Sequence, residues 1–128
     1  MGIEFGTKSL VNMVTIENKS NIEFGMNIYF KANATVVNPY IINVETQKKL
    51  TVLTTMNAGD IIHITTHLNN KGITRIRNSV EENINYLLEY GSVFLPINIG
   101  INTFRVGSQT GEDNLETTIE YFREYEAI

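Results

Sequence analysis

The sequence predicts an all-β fold, an antiparallel β-sandwich with at most one short helix. Short runs rich in Ile, Val, Thr, Phe and Tyr alternate apolar with polar residues at a period of two, which is typical of half-buried antiparallel strands. Asn, Gly and Asp separate these runs, as turns require. The chain has 128 residues, 42% of them hydrophobic, which is enough to fill the core of one domain.

The alternation predicts eight strands, a number that suits two packed sheets. In the second strand Met26, Ile28 and Phe30 share one face, and we expect this face to point to the core. The predicted strands span residues 12–17, 26–32, 40–44, 49–54, 60–68, 73–78, 100–106 and 114–124.

Three turns are predicted between strands. Residues 69–72, Asn-Asn-Lys-Gly, join two alternating runs and predict a hairpin, because Asn and Gly tolerate positive φ. The other two predicted turns lie at residues 56–60 and 109–113.

One short helix is predicted over residues 81–90. Ile84, Leu87 and Leu88 stand at positions i, i+3 and i+4, the spacing of one helix face. Gly91 ends it, so we expect one or two turns packed at an end of the sandwich.

Composition predicts one soluble domain over residues 10–128, with residues 1–9 as a tether. The chain has no cysteine, so it forms no disulfide and no thiolate metal site, and synthesis in the cytosol is expected. It shows neither a signal peptide nor the roughly 18 apolar residues of a membrane span. The formal net charge is −4 and the basic residues are scattered, which argues against nucleic-acid binding.

The residues that could carry chemistry do not form a site. On one face of a strand His63 and His67 are about 13 Å apart, so they cannot share a metal ion, and we interpret them as exposed strand histidines. No serine stands in a G-x-S-x-G elbow, and turn formation is the better interpretation for each. The serines considered are Ser9, Ser20, Ser79, Ser92 and Ser108.

Paired carboxylates are interpreted as solvated charge, because neighbours in a chain rarely reach the 5 to 10 Å geometry of glycoside hydrolysis. These pairs are Glu81-Glu82, Glu112-Asp113 and Glu124 with Glu126. Residues 111–114 offer oxygen ligands without the spacing of a calcium loop. The prediction is therefore no catalytic residue, no metal ligand, no cofactor and no enzyme.

Four tyrosines at strand or loop margins are the candidate ligand or interface aromatics. Such rings can stack on a pyranose, but tyrosine is also enriched at protein interfaces, and we favour an interface. The four are Tyr40, Tyr86, Tyr90 and Tyr125.

Several short stretches, taken in order, carry a family resemblance. They are residues 4–7 (EFGT), 25–28 (GMNI), 34–39 (ATVVNP), 42–46 (INVET), 55–60 (TMNAGD) before the strand 61–66, 92–96 (SVFLP), 100–105 (GINTFR), 113–116 (DNLE) and 121–125 (YFREY). In this order they resemble the C-terminal domain of the distal tail proteins of siphophages of Gram-positive hosts, a family also found in prophages and phage-tail-like elements.

The resemblance implies a galectin-like or carbohydrate-module-like jelly roll that projects from a homo-hexameric ring. A separate N-terminal domain, absent here, would form that ring, and residues 1–9 would be the tether to it. The implied function is a docking surface between the tail-tube hub and receptor-binding or tail-associated proteins of the virion, made in the bacterial cytoplasm. The alternative is a carbohydrate-binding module that contacts cell-wall polysaccharide of the host.

Overall fold

The computed structural model describes the backbone of residues 2–10 and 12–125 and the side chains of residues 12–121. Within these residues eleven strands form two antiparallel sheets. The strands are β1 Gly2–Leu10, β2 Met13–Asn18, β3 Met26–Ala32, β4 Val36–Asn43, β5 Lys48–Thr51, β6 Thr55–Met56, β7 Ile61–His67, β8 Asn70–Arg77, β9 Val80–Asn83, β10 Gly100–Thr110 and β11 Leu115–Tyr125.

The two sheets pack as a sandwich, which confirms the predicted fold class. One sheet has six strands in the order β1-β11-β3-β7-β8-β9. The other has five strands: β2, β10, β4 and β5 lie in that order, and the short β6 pairs with β4. The galectin-like or carbohydrate-module-like type of jelly roll stays a prediction.

The core lies between the sheets and is filled from both. Because side chains alternate along a strand, central strands such as β3 and β7 bury every second residue. The buried residues of the six-stranded sheet include Met26, Ile28, Phe30, Ile62, Ile64, Ile73 and Ile119. Those of the five-stranded sheet include Ile16, Ile41, Leu50, Phe104 and Val106.

All eight predicted strands are present, with ends shifted by up to four residues. The alternation did not reveal β1, β6 or β9. Ser9 lies in β1 and Ser108 in β10, so the prediction that these two serines form turns is wrong. The backbone of β1 pairs with β11 at the edge of the six-stranded sheet, and the role of residues 1–9 as a tether stays a prediction.

The predicted hairpin is confirmed, with its turn two residues earlier than expected. His67 pairs with Asn70, so Leu68 and Asn69 form the turn between β7 and β8. A second two-residue turn, which the pattern did not reveal, joins β8 to β9. There Asn78 and Ser79 have φ values of 51° and 64°, as a type I′ turn requires.

Of the short helix predicted over residues 81–90, the structure has one 3-10 turn, and the predicted extent is wrong. Val80–Asn83 is strand β9, and only one 3-10 turn, Asn85–Leu87, follows it. The tight turn after β8 directs the chain back along that strand, where pairing satisfies backbone groups that a helix would have satisfied internally. Ile84 is still fully buried, so the apolar spacing marked core residues without marking a helix.

Candidate functional site

The outer face of the five-stranded sheet, called here the five-stranded face, combines apolar and cationic side chains. Met13, Arg105, Ile42 and Lys49 are paired in register across β2, β10, β4 and β5, so they form one row. Met13 is 56% exposed. Ile101 lies on the same face of β10, four residues before Arg105, and is 51% exposed.

Tyr40 lies on the five-stranded face and is half-buried. Its neighbour on β10 is Gly107, and a Cβ atom at that glycine would lie 2.6 Å from the Tyr40 hydroxyl oxygen. On β5, Lys49 places Nζ 5.6 Å from the centre of the Tyr40 ring, within the range of a cation–π contact. Tyr40 therefore covers a glycine and contacts a cation, and does not stand free.

Tyr90 lies on the segment that covers the free edge of β5, and Tyr86 lies in the 3-10 turn before it. This segment makes backbone hydrogen bonds from Leu53 N–H to the Leu87 carbonyl and from Glu89 N–H to the Thr51 carbonyl. Tyr86 is 73% exposed and Tyr90 is completely exposed. Tyr90 thus adds aromatic surface beside the five-stranded face.

Glu45 fixes one end of this face. Its carboxylate accepts hydrogen bonds from the backbone N–H of Thr103 at 2.6 Å and from the Thr103 hydroxyl at 2.7 Å. These two hydrogen bonds, the backbone one first, hold the pKa of Glu45 below its usual value. The carboxylate replaces a strand partner where β4 ends, so the loop after β4 is held against β10.

The family model for the Siphovirus-type tail component, C-terminal domain, matches residues 19–125. The chain belongs to this family. No significant match was found among curated proteins or among solved structures. The family comprises structural components of the phage tail, so this domain is part of a virion. It is not a known enzyme family. In the described part of the chain no helix is long and apolar enough to cross a membrane.

Of the four tyrosines nominated from the sequence of the tail-component domain, the structure places two, Tyr40 and Tyr90, on or beside the five-stranded sheet. Tyr86 lies in the 3-10 turn between β9 and the segment that covers the edge of β5. The side chain of Tyr125 is outside the described residues. The role of these rings as ligand or interface residues stays a prediction.

The two histidines are not the exposed side chains that were expected. His63 and His67 are both half-buried on β7. The ring of His63 stacks on that of Tyr29, with 4.6 Å between ring centres and 5° between ring planes. Its Nε2 is 3.0 Å from the side-chain oxygen of Asn27. Sequence reasoning missed this ring pair because Tyr29 and His63 come together only through the pairing of β3 with β7.

The structure describes the side chains of two of the three carboxylate pairs, Glu81-Glu82 and Glu112-Asp113. Glu81 and Glu82 are successive residues of β9 and therefore point to opposite faces of the sheet. Glu82 forms an ion pair with Arg75 at 2.6 Å. Glu112 and Asp113 belong to a 3-10 turn, and the side chains of Glu124 and Glu126 are outside the described residues. Among the residues that the structure describes, no group of three or more His, Asp or Glu could hold a metal ion.

Proposed function

We propose that this domain is a docking module of the tail tip, joining the tail-tube hub to receptor-binding or tail-associated proteins. The five-stranded face and the neighbouring tyrosine segment form the docking surface. A single observation carries this proposal: exposed large hydrophobic side chains gather on this side of the sandwich. They are Met13, Val44, Leu53, Tyr90 and Ile101, five of the ten exposed large hydrophobic side chains among the described residues.

The physical reason is the composition of protein interfaces. Tyr, Met and Arg are enriched at the centres of interfaces, and a patch of apolar surface on a soluble protein marks a site that a partner covers. Each Å² of apolar surface removed from water stabilises a complex by about 25 cal/mol before the costs of association. Arg105 and Lys49, beside these apolar groups, add directional contacts for carboxylates or carbonyls of a partner.

The family resemblance supports the wider arrangement that we propose. The parent protein is a homo-hexamer made in the bacterial cytoplasm, with a ring formed by a separate N-terminal domain. Residues 1–9 connect the domain to that ring, and the backbone of Gly2–Leu10 is at the same time the edge strand β1 of the six-stranded sheet. The domain itself has no enzymatic activity, a proposal that the structural character of the family supports.

Saccharide binding by the nominated tyrosines is a weaker proposal for this side of the molecule. Tyr40 is half-buried over Gly107 and beside Lys49, so it does not offer a free platform. Tyr86 and Tyr90 are exposed, but among the described residues no polar side chain is hydrogen-bonded to either. A docking surface therefore explains these residues better.

The test is binding of the purified chain to each purified tail protein of the same particle, measured by calorimetry. Met13→Glu and Ile101→Glu should each weaken one of these complexes at least about tenfold, about 1.4 kcal/mol, because each places a charge in an apolar contact. Val80→Glu is the matched control: Val80 is 65% exposed on β9 of the other sheet, and its replacement should change the affinity by less than about twofold. Equal losses for all three variants, or no loss for the first two, would contradict the proposal.

A further inference from the structure

The outer face of the six-stranded sheet, called here the six-stranded face, has a different chemistry from the five-stranded face. Among the described residues, no exposed large hydrophobic side chain lies on it. Strand register places three rows of mostly polar side chains across it. The rows are Glu120, Asn27 and Thr65; Thr118, Tyr29, His63, Thr74 and Asn83; and Glu116, Lys31, Ile61, Ile76 and Glu81.

The stacked rings of Tyr29 and His63 lie at the middle of this face. His63 stands on β7 and covers the side of the Tyr29 ring that faces β7. The opposite side of the Tyr29 ring faces β11, where its cross-strand neighbour is Thr118, a side chain much smaller than an aromatic ring. The pair is thus a rigid support with one aromatic surface turned toward β11.

A depression of about 290 Å³ lies beside this aromatic surface. Tyr29 and Ile61 supply its apolar surface, and Lys31, Glu116 and Thr118 supply its polar surface. Lys31 and Glu116 are direct cross-strand neighbours, yet within the described part of the chain no ion pair joins them. The depression therefore offers an ammonium donor, a carboxylate acceptor and a hydroxyl next to an apolar wall.

We propose that this depression binds one neutral pyranose ring of a saccharide, stacked on Tyr29 and hydrogen-bonded to Lys31, Glu116 and Thr118. A pyranose has an apolar C–H surface and a rim of hydroxyls that both donate and accept hydrogen bonds. The Tyr29 ring matches the apolar surface. The donor and acceptor heads match the hydroxyls, and their charges strengthen each hydrogen bond. The inference goes beyond the docking function because it concerns the opposite face of the sandwich.

Charge argues for a neutral saccharide over an anionic polymer. The described acidic residues of this face are Glu81, Glu116 and Glu120, against the one cation Lys31. Burial holds the pKa of His63 below its usual value, against the opposite effect of Glu120 and Glu81, so burial disfavours a positive charge on this ring. A phosphate-rich or uronate-rich chain would be repelled here.

Size and surface argue against a peptide in the same place. A volume of about 290 Å³ is at the lower limit of small-ligand sites, which begin at about 300 Å³. A docked peptide also needs apolar anchors in pockets, and the described side chains of this face include no exposed large hydrophobic residue.

The test is NMR titration of the isotope-labelled chain with methyl pyranosides of glucose, galactose and mannose and of their N-acetylamino counterparts. We expect at least one neutral pyranoside to give saturable shifts at Tyr29, Lys31, Ile61, Glu116 and Thr118, with a dissociation constant of roughly 1 mM, about −4 kcal/mol. Shifts confined to the five-stranded face, silence across the neutral panel, or binding of uronates alone would each overturn the proposal.

Variants assign the binding to this depression. Tyr29→Ala should abolish the shifts, and Tyr29→Phe should keep the affinity within about threefold because the ring surface remains. Glu116→Gln should weaken binding about tenfold through loss of a charged acceptor. The matched control is Tyr90→Ala, which removes a completely exposed ring on the other side and should change nothing. A dispersed spectrum shows that Tyr29→Ala is folded; binding that survives in this variant would refute the site, and if the variant is unfolded Glu116→Gln decides.

Discussion

Buried asparagines hold the loops at one end of the sandwich. Asn102 is fully buried, and its Nδ2 donates to the carbonyls of Asn98, at 2.8 Å, and of Gly100, at 3.2 Å. Its Oδ1 accepts from the backbone N–H of Asn98 and from Nδ2 of Asn43. One side chain thus connects β10 to the loop before it and to the end of β4.

Asn102→Ala is expected to lower the free energy of unfolding by about 2 to 3 kcal/mol, because it leaves several buried polar groups without partners. Denaturant unfolding followed by circular dichroism measures this change. Asn33→Ala is the control, since Asn33 is exposed and its side chain makes no hydrogen bond within the described residues. If both variants were equally stable, Asn102 would not be the connection that we infer.

Asp60 and Arg77 form an ion pair that ties the turn before β7 to the end of β8, with the Asp60 side chain 3% exposed and the Arg77 side chain 32% exposed. Asp60 is almost completely buried, and Arg77 reaches it with Nε at 2.9 Å and a terminal nitrogen at 2.6 Å. Asp60 also accepts the backbone N–H of Asn57 at 2.8 Å. Burial raises the pKa of Asp60, but the hydrogen bonds from Arg77 and Asn57 outweigh burial, so the pKa lies below its ordinary value.

This lowered pKa predicts a loss of stability in acid. The pKa of Asp60 is lower in the folded chain than in the unfolded chain, where it is about 3.9, so the stabilisation is complete well above pH 4. It is lost as the pH falls through the folded pKa. Asp60→Asn should cost about 2 kcal/mol at pH 7 and flatten the stability profile between pH 5 and roughly pH 2. Unfolding curves recorded across this range decide; an unchanged profile would show that other carboxylates govern acid unfolding.

The entry into β3 depends on a close approach of two backbones. A Cβ atom at Gly25 would lie 2.5 Å from Cα of His67 and 2.6 Å from its backbone nitrogen. Next to this crossing the buried hydroxyl of Thr66 accepts the N–H of Met26 at 3.0 Å. A side chain at residue 25 would therefore push β3 away from the end of β7.

Gly25→Ala is expected to destabilise the fold by about 1 to 3 kcal/mol, the usual range for overpacking that backbone must relieve. Gly72→Ala provides the comparison within the same sheet. At Gly72 the nearest atom to an added Cβ is 3.7 Å away, which is ordinary contact, so this variant should be neutral or slightly more stable. Thermal unfolding of both variants is the measurement, and equal effects would contradict the close approach.

At the scale of the whole molecule, the chain passes repeatedly between the two sheets. The chain passes from β1 in the six-stranded sheet to β2 in the five-stranded sheet, returns with β3 and crosses again to β4. Near its end it crosses once more to β10 in the five-stranded sheet and returns with β11. Both sheets bury their apolar residues in one shared core. If the two sheets separated, the apolar core residues of both would be exposed to water.

The domain is therefore expected to unfold in one cooperative step. Differential scanning calorimetry should give a calorimetric enthalpy equal to the van't Hoff enthalpy, a ratio of about 1. Two resolved transitions would show that the sheets are separately stable, which the shared core does not allow.

The sequence by itself determined the sandwich, eight of its strands, one hairpin and the family. These features are local: alternation along a strand such as β3 shows which residues face the core, and Asn and Gly show where the chain turns. The same local pattern misled at residues 81–90, because the spacing of Ile84, Leu87 and Leu88 suits a helix, whereas the structure buries Ile84 directly after β9 and follows it with a 3-10 turn that has no buried residue.

Only the tertiary structure decided which side chains share a face. Tyr29 and His63 stack because β3 pairs with β7 in one register, and a shift of one residue would send one of the two rings to the core. Strand order likewise places Lys31 beside Glu116 and separates the mostly polar six-stranded face from the five-stranded face, which combines apolar and cationic side chains. Pairing between strands distant in sequence depends on the packing of the whole core, so no local pattern encodes it.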